Sequence, residues 1–379
     1  MVTFFNVLSW LFCLLFALLA LMVFGMGGRF QFFLILGIVL ILAPPFRHLI
    51  QNAVHFKLQW WLYTIAGITL WLGVILSFVL NPAKSIYKSD SYKEKLIEIY
   101  DSKLAAWPVP YESIYVNTQY GKIHVIVSGQ ENAPPVLLIN ASALSGWSWI
   151  HNVKELNKQF RTFAIDNIGE GGKNELLAPG NIPKTGKEIA EFYSEICDSL
   201  GIEKAHVIGA SVGGFISTNI ALHAPDRVEK LVLLGSMGYG STNKTIVAMT
   251  IAQGFPIKPI QDATFKWAFG NDEVVNSSFG EWFRIYMKGL VPTPIKPTTF
   301  KPSELKQLHV PTLAYFGTND GVIGNADAAA ELAQNIPDIE IRIVESGHVI
   351  GVELSEMVNK EISAFLGDDQ SGSRDNYLY

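Results

Sequence analysis

The chain has 379 residues, of which 49% are hydrophobic and 17% are charged, and its mean hydropathy is +0.25. This average is too apolar for an ordinary soluble domain and too polar for a protein that lies entirely within a membrane. Residues 1–82 contain three basic and no acidic side chains, whereas the remainder carries 26 basic and 34 acidic side chains, a net charge of −8. Nucleic acid is therefore not an expected partner, because binding it requires a basic surface.

Residues 1–82 contain three apolar runs, for which we predict about three transmembrane helices. As helices, the runs 2–24, 27–45 and 60–80 would be about 35, 28 and 32 Å long, against a hydrocarbon thickness of ~30 Å. The second run carries Arg29 and ends in two prolines, so a re-entrant or interfacial segment is its alternative. The segment predicts a multi-pass protein of a prokaryotic plasma membrane, with the lipid bilayer as a partner.

The side of the membrane that carries the rest of the chain depends on the number of spans. With three spans, five basic residues lie on the C-terminal side against two on the other, which favours a cytoplasmic remainder. Two spans would reverse this assignment, so both orientations stay open.

Residues 83–110 are polar and predict a linker that is helical over 92–104. In residues 111–366, apolar runs of strand length alternate with amphipathic helical patterns. The alternation predicts an α/β fold with a mostly parallel, eight-stranded sheet and helices on both faces. The predicted strands cover 114–117, 122–127, 136–140, 161–165, 205–208, 231–235, 312–316 and 340–344, and the helices cover 149–159, 186–200, 212–224, 326–336 and 354–366.

A long insertion interrupts this alternation at residues 236–310, and it is rich in Phe and Trp. An insertion of this length between two strands is more often functional than a simple loop. We predict a helical cap, hereafter the cap insertion; a subdomain whose aromatic side chains bury one another is compatible with that function. Residues 367–379 are polar and are predicted to be disordered.

The motif Gly209-Ala210-Ser211-Val212-Gly213 has the pattern G-x-S-x-G. It stands directly between a predicted strand and a predicted helix. A turn this tight leaves no room for side chains beside the central residue, which explains the flanking glycines. It also projects the serine hydroxyl above the sheet at a helix N-terminus. We therefore predict that Ser211 is a nucleophile, with a structural turn as the alternative.

A serine hydroxyl needs a base to take its proton, and the base needs a carboxylate to orient it. On this topology the carboxylate and then the histidine come later in the chain, each after a strand. Asp320 and His348 occupy these places. The predicted catalytic residues are Ser211, Asp320 and His348, with Asp327 as an alternative acid.

Four segments carry a family resemblance: 103–112 (KLAAWPVPYE), 166–173 (DNIGEGGK), 200–211 (LGIEKAHVIGAS) and 221–228 (ALHAPDRV). They resemble the α/β-hydrolase superfamily, and within it the bacterial carboxylesterases of the naproxen-esterase kind. The likeness covers about residues 100–366 and leaves the membrane segment outside. It implies a serine hydrolase that cleaves carboxylic esters through an acyl-enzyme.

The predicted oxyanion hole has two backbone donors. One is the N–H of Val212, next to the nucleophile, and the other should come from the loop after the strand 136–140. Where the family usually has His-Gly, this chain has Asn140-Ala141, and by position the N–H of Ser142 would be the second donor. Loss of the glycine restricts the loop, so a weakened hole and an intact hole with different loop geometry are both open.

The aromatic cap insertion and the membrane segment together favour a small hydrophobic or lipid-like ester as substrate. Two alternatives remain at this point: a C–C hydrolase or acyltransferase with the same triad, and a non-catalytic membrane protein that uses the fold for binding. The spacing of His, Asp and Glu predicts no metal site, and no glycine-rich loop predicts a nucleotide cofactor.

Overall fold

The computed structural model describes residues 85–240, 258–270, 278–290 and 294–368, together with Ile35 and Thr69. The three apolar runs of residues 1–82 and almost all of the predicted disordered tail lie outside these ranges. Among the described residues, no helix combines the length and the apolar character needed to cross a bilayer. Two compact units divide the chain, residues 1–84 with 247–264 and residues 85–246 with 265–379.

The second unit is built on a mixed sheet of nine strands in the order β1-β2-β4-β3-β6-β7-β8-β9, with β5 paired to β2. The strands are β1 Tyr111–Thr118, β2 Gly121–Ser128, β3 Pro135–Ile139, β4 Arg161–Ile165, β5 Glu175–Leu176, β6 Ala205–Ala210, β7 Val228–Leu234, β8 Thr312–Gly317 and β9 Ile339–Val344. The sequence predicts eight strands. The ninth, β5, has two residues, too few to leave a periodic pattern in the sequence.

Every pair of neighbouring strands along the order β4-β3-β6-β7-β8-β9 is parallel. Strand β2 pairs antiparallel with β1, β4 and β5. The central strands β3, β6, β7 and β8 are almost completely buried. Strands covered on both faces are apolar throughout rather than alternating, which is why these runs were recognisable in the sequence. They form the centre of the core.

The helices α1 to α10 are Asp90–Ala105, Val153–Leu156, Gly186–Ser199, Val212–His223, Lys258–Phe269, Ser278–Gly289, Pro302–Leu305, Ala326–Ala333, Ile350–Glu353 and Ser355–Gly367. Two 3₁₀ helices cover Gly146–His151 and Pro225–Arg227. Helix α4 is buried on all sides over its first ten residues. The polar side chains among them, Ser217, Thr218 and Asn219, each donate to a carbonyl one turn earlier in the helix.

Helix α1 lies in the stretch predicted as a linker, and its side chains pack into the second unit. Leu96, Tyr100 and Leu104 are buried, and the Tyr100 hydroxyl donates to Oδ1 of buried Asp166 at 2.9 Å. The segment therefore contributes to the core beside the sheet.

The predicted helix over residues 149–159 is replaced by the end of a 3₁₀ helix and the short α2. Asn152 separates the two, with φ −114° and ψ −36°. Its side-chain amide donates to Asn359 Oδ1 at 2.7 Å and to the Gly351 carbonyl at 2.9 Å. Asn has a weak intrinsic helix propensity, and these tertiary hydrogen bonds hold it where the helix is interrupted.

The parallel strands place the functional loops at one edge of the sheet. Ser211 directly follows β6, Asp320 lies three residues after β8, and His348 lies four residues after β9. The carboxyl ends of parallel strands meet at the same edge, which is where open α/β sheets bind their ligands. Between β7 and β8, the described part of the cap insertion includes α5, α6 and α7.

Candidate active site

Ser211 occupies a strained turn between β6 and α4. Its backbone has φ 53° and ψ −117°, and among the described non-glycine residues only Ala143 shares a positive φ. Such conformations cost about 1–3 kcal/mol and persist only where the surrounding structure holds them. Here the Ser211 N–H donates to the Leu234 carbonyl at 2.9 Å, and its own carbonyl accepts from the Met237 N–H at 3.0 Å.

The glycines on either side of Ser211 are required by close backbone contacts. A Cβ at Gly213 would lie 2.0 Å from the Ile139 carbonyl oxygen, and a Cβ at Gly209 would lie 2.4 Å from the Gly213 oxygen. Both distances are far below van der Waals contact, and the atoms met belong to the backbone. The G-x-S-x-G pattern is therefore a steric requirement of packing α4 against β3, through Gly213, and against β6, through Gly209.

The structure brings Ser211, His348 and Asp320 into one hydrogen-bonded chain. His348 Nε2 lies 2.8 Å from Ser211 Oγ, and His348 Nδ1 lies 2.8 Å from Asp320 Oδ2. All three residues are buried, with exposures of 3–6%. In this arrangement one imidazole nitrogen can accept the serine proton while the other donates to the carboxylate.

The acid and the histidine are themselves fixed by backbone hydrogen bonds. Asp320 Oδ1 accepts from the N–H groups of Val322 and Ile323 at 2.8 and 3.0 Å. This leaves Oδ2 for His348.

Glu353 accepts from the N–H groups of Gly347 and Val349, the two neighbours of His348, at 3.0 and 3.3 Å. Its role was not recognised from the sequence, because a surface-type residue in a short helix carries no distinguishing pattern.

The two predicted oxyanion donors lie on neighbouring elements. Val212 is the first residue of α4, so its N–H has no intrahelical partner. Ser142 lies in the turn Ala141–Leu144, closed by an N–H···O bond of 3.2 Å from Leu144 to Ala141. The left-handed residue in this loop is Ala143, with φ 60°, rather than Ala141, where the family glycine is replaced.

Two side chains from outside this turn hold Ala143. Glu170 Oε2 accepts from its N–H at 2.5 Å, and Trp282 Nε1 in α6 donates to its carbonyl at 2.7 Å. Glu170 lies in the loop after β4. In the sequence, it belongs to the segment 166–173, which carries the family resemblance but indicates no role for this residue. Neither contact has a local sequence signal, since both depend on how distant segments pack.

A small cavity of about 40 Å³ opens beside Ser211 and His348. Most of its lining is apolar. Its wall includes Ala141, Leu144, Trp149, Leu234, Phe279 and Ile350. The arrangement can place an apolar group of a substrate next to the serine hydroxyl.

A second Ser···His···Asp chain lies at the edge of the sheet, away from the strand-to-helix turn. Ser113 Oγ is 2.7 Å from His124 Nε2, and His124 Nδ1 is 3.3 Å from Asp166 Oδ2. Ser113 is exposed and lies within strand β1, so the N–H that follows it does not begin a helix as that of Val212 does. It provides a matched control for Ser211.

Metal binding has no candidate among the described residues: no group of three or more His, Cys, Asp or Glu side chains is arranged to hold an ion.

Comparison with known proteins agrees with the fold. Residues 134–253 match the family model described as alpha/beta hydrolase fold. Carboxylesterase YbfK of Bacillus subtilis is 31% identical over 285 residues, 72% of this chain and 93% of that protein. Its crystal structure superposes with a TM-score of 0.65, covering 74% of this chain and all of that one. Naproxen esterase of the same organism is 28% identical, with a TM-score of 0.64 over 72% of this chain and 96% of that one.

The chain belongs to the α/β-hydrolase superfamily, as a relative of the Bacillus carboxylesterases, and the family resemblance inferred from the sequence is confirmed. It is a carboxylesterase-like hydrolase.

The strain at Ser211 predicts an unusual order of stability for two variants that both lack the hydroxyl. Ser211→Gly should unfold at a higher temperature than Ser211→Ala, since glycine adopts the observed φ without steric cost. After allowance for the greater unfolded-state entropy of glycine, we expect a difference of about 1 kcal/mol, roughly 2–4 °C. Thermal unfolding of the full chain followed by circular dichroism measures it.

Ser102, exposed within α1, is the control for this comparison. There the same two substitutions should rank in the opposite order, because glycine disfavours a helix interior by about 1 kcal/mol. A Ser211→Gly midpoint at or below that of Ser211→Ala would show that the turn carries no strain.

Proposed function

We propose that the protein is a serine carboxylesterase in which Ser211 is the nucleophile. The observation that carries the proposal is the 2.8 Å contact between Ser211 Oγ and His348 Nε2, continued by the contact of Nδ1 with Asp320. A hydroxyl at the N-terminus of a helix, already hydrogen-bonded to an oriented imidazole, is prepared for attack on an ester carbonyl.

In the first half-reaction, Ser211 Oγ bonds to the ester carbonyl carbon as its proton passes to His348 Nε2. The resulting oxyanion accepts hydrogen bonds from the N–H groups of Val212 and Ser142, and Asp320 stabilises the imidazolium. The tetrahedral intermediate then loses the alcohol, which takes the proton from His348, and an acyl-enzyme remains. Water, deprotonated by His348, then attacks the acyl carbon. As the bond from this carbon to Ser211 Oγ breaks, the serine oxygen takes the proton back from His348, and the carboxylic acid is released.

The substrate that we propose is a small hydrophobic or lipid-like carboxylic ester. The apolar wall of the cavity beside Ser211 supports this choice. The sequence similarity to proteins named carboxylesterase and naproxen esterase supports it as well. Apolar groups bound there leave water at a gain of roughly 25 cal/mol per Å² of buried surface.

Ser211→Ala should abolish hydrolysis of p-nitrophenyl acetate, butyrate and octanoate by the full-length protein. Loss of a triad serine lowers kcat by roughly 10⁴–10⁶-fold, because the covalent route is removed. Ser113→Ala, which deletes the other serine hydrogen-bonded to a histidine, should keep activity within about twofold, as is usual for exposed positions away from a site. Hydrolysis that persists in Ser211→Ala would refute the proposal.

A fluorophosphonate probe gives an independent measurement. It should label the wild type and Ser113→Ala but not Ser211→Ala. Labelling at Ser113 in place of Ser211 would assign the nucleophile to the sheet edge.

Asp320→Asn should lower kcat by about 10⁴-fold with little change in fold, the effect described for this substitution in a serine protease. If the amide oxygen keeps the two backbone donors at Val322 and Ile323, the amide NH₂ faces His348 Nδ1. That imposes the tautomer with a proton on Nε2, which cannot accept the serine proton.

Asp327→Asn is the control for Asp320→Asn, since Asp327 is exposed in the first turn of α8. It should leave kcat unchanged. Loss of activity in Asp327→Asn but not in Asp320→Asn would reassign the acid.

We further propose that residues 1–82 anchor the protein in the plasma membrane of a prokaryotic cell as a multi-pass segment. The support is their content of three apolar runs without an acidic side chain. In cells that express the full chain, the protein should float with membranes in a sucrose gradient and resist a carbonate wash at high pH. Release into the supernatant by carbonate would contradict the anchor, and failure to float would indicate an aggregate.

A further inference from the structure

The loop that should complete the oxyanion hole rests on a buried acid that the reaction described above does not use. Glu170 is 2% exposed, and its Oε2 accepts from the Ala143 N–H at 2.5 Å. The Ser142 side chain lies close enough to the same carboxyl group to favour its ionised form. Glu170 therefore contacts both central residues of the turn Ala141–Leu144.

This turn needs support because Ala143 is left-handed. With φ 60°, it occupies a position of a β-turn that favours glycine or asparagine. Rotation of the peptide between Ser142 and Ala143 would relieve the strain. The N–H of Ala143, which belongs to this peptide, is held by Glu170 and opposes that rotation. The Ala143 carbonyl belongs to the next peptide and accepts from Trp282 Nε1 at 2.7 Å, so the peptides on both sides of Ala143 are restrained.

We propose that Glu170 and Trp282 are positioning residues that hold the Ser142-Ala143 turn so that the Ser142 N–H can bind the oxyanion. The inference rests on the proposed function and extends it to two residues outside the predicted triad. Glu170 acts from the loop after β4, and Trp282 acts from the cap insertion.

The charge state of Glu170 should matter for this role. Burial raises its pKa to about 8, although the neighbouring Ser142 side chain and Ala143 N–H lower it. The other titratable groups that interact with it are the hydroxyls of Tyr193 in α3 and Tyr286 in α6, and burial raises the pKa of each far above the neutral range. Glu170 alone of these changes its charge near pH 8.

The ionised carboxylate accepts from the Ala143 N–H, and a hydrogen bond to an ionised acceptor is stronger than one to a neutral acceptor. The protonated form loses one acceptor position. The interaction of Glu170 with the turn should therefore strengthen as the pH rises through about 8, and kcat should increase over the same pH range.

The experiment measures kcat and KM of full-length wild type, Glu170→Gln and Glu170→Ala from pH 6 to 9.5, with the Ser211→Ala rate subtracted. Wild-type kcat should show a step near pH 8 that Glu170→Gln lacks. Glu170→Gln keeps the shape of the side chain and guards against misfolding. Glu170→Ala should lower kcat by about 10- to 100-fold with KM nearly unchanged, less than the 10²–10³-fold loss of a donor itself.

A trifluoromethyl ketone inhibitor separates positioning from a general structural effect. It adds to the serine and forms an oxyanion, so its inhibition constant should rise in proportion to the loss of kcat/KM in Glu170→Ala. An inhibition constant that stays at the wild-type value while kcat falls would overturn the inference.

Trp282→Phe tests the second contact, with Trp147→Phe as its control. Both tryptophans are fully buried and pack against each other, but Trp147 Nε1 has no hydrogen-bond partner among the described residues. Trp282→Phe should lower kcat about 5- to 10-fold, the loss of one neutral hydrogen bond, while Trp147→Phe should not.

The outcomes distinguish failure of the proposed function from failure of the positioning roles of Glu170 and Trp282. If Ser211→Ala is as active as wild type, the proposed function fails. If Ser211 is required but Glu170→Ala stays within twofold of wild type, or Glu170→Gln keeps the step near pH 8, only the role of Glu170 fails. Equal effects of Trp282→Phe and Trp147→Phe would remove Trp282 from the inference.

Discussion

The site in the second unit depends on the backbone contact between helix α4 and the end of strand β3. A Cβ at Gly213 would lie 2.0 Å from the Ile139 oxygen and 2.6 Å from the Asn140 oxygen, so the contact exists only because position 213 has no side chain. Ser211 begins this helix, and Asn140 begins the loop that carries Ser142. The contact therefore fixes the proposed nucleophile and the proposed oxyanion loop against each other, and it helps to sustain the strain at Ser211.

Around this contact, the loops at the carboxyl edge of the sheet are held by buried or half-buried carboxylates. Irregular segments have backbone N–H groups without a helix or sheet partner, and these must be satisfied when they are buried. Three acidic side chains each accept from two such groups: Asp166 (Gly146 and Lys173), Asp320 (Val322 and Ile323) and Glu353 (Gly347 and Val349). Glu170 accepts from one, the N–H of Ala143.

The sequence predicted the features that depend on local pattern. The apolar central strands, the glycines around Ser211 and the order of acid and histidine follow from burial, sterics and topology, and the structure joins the three side chains by hydrogen bonds. It did not predict the tertiary contacts of Glu170 and Trp282, because no residue near either in the sequence encodes them. The family glycine is replaced at Ala141, but the left-handed conformation in this loop occurs at Ala143, whose N–H and carbonyl make these two contacts.

The hydrogen bond from Trp282 to Ala143 has a consequence for motion. Trp282 belongs to α6 in the cap insertion, and the Ala143 carbonyl belongs to the loop after β3. If α6 moves outward to admit an ester or to release an acid, this hydrogen bond breaks and the loop loses one of its two restraints. If the loop has the proposed role, displacement of α6 and full stabilisation of the oxyanion are mutually exclusive. A molecule that wedges α6 away from the sheet would inhibit the enzyme without touching the serine.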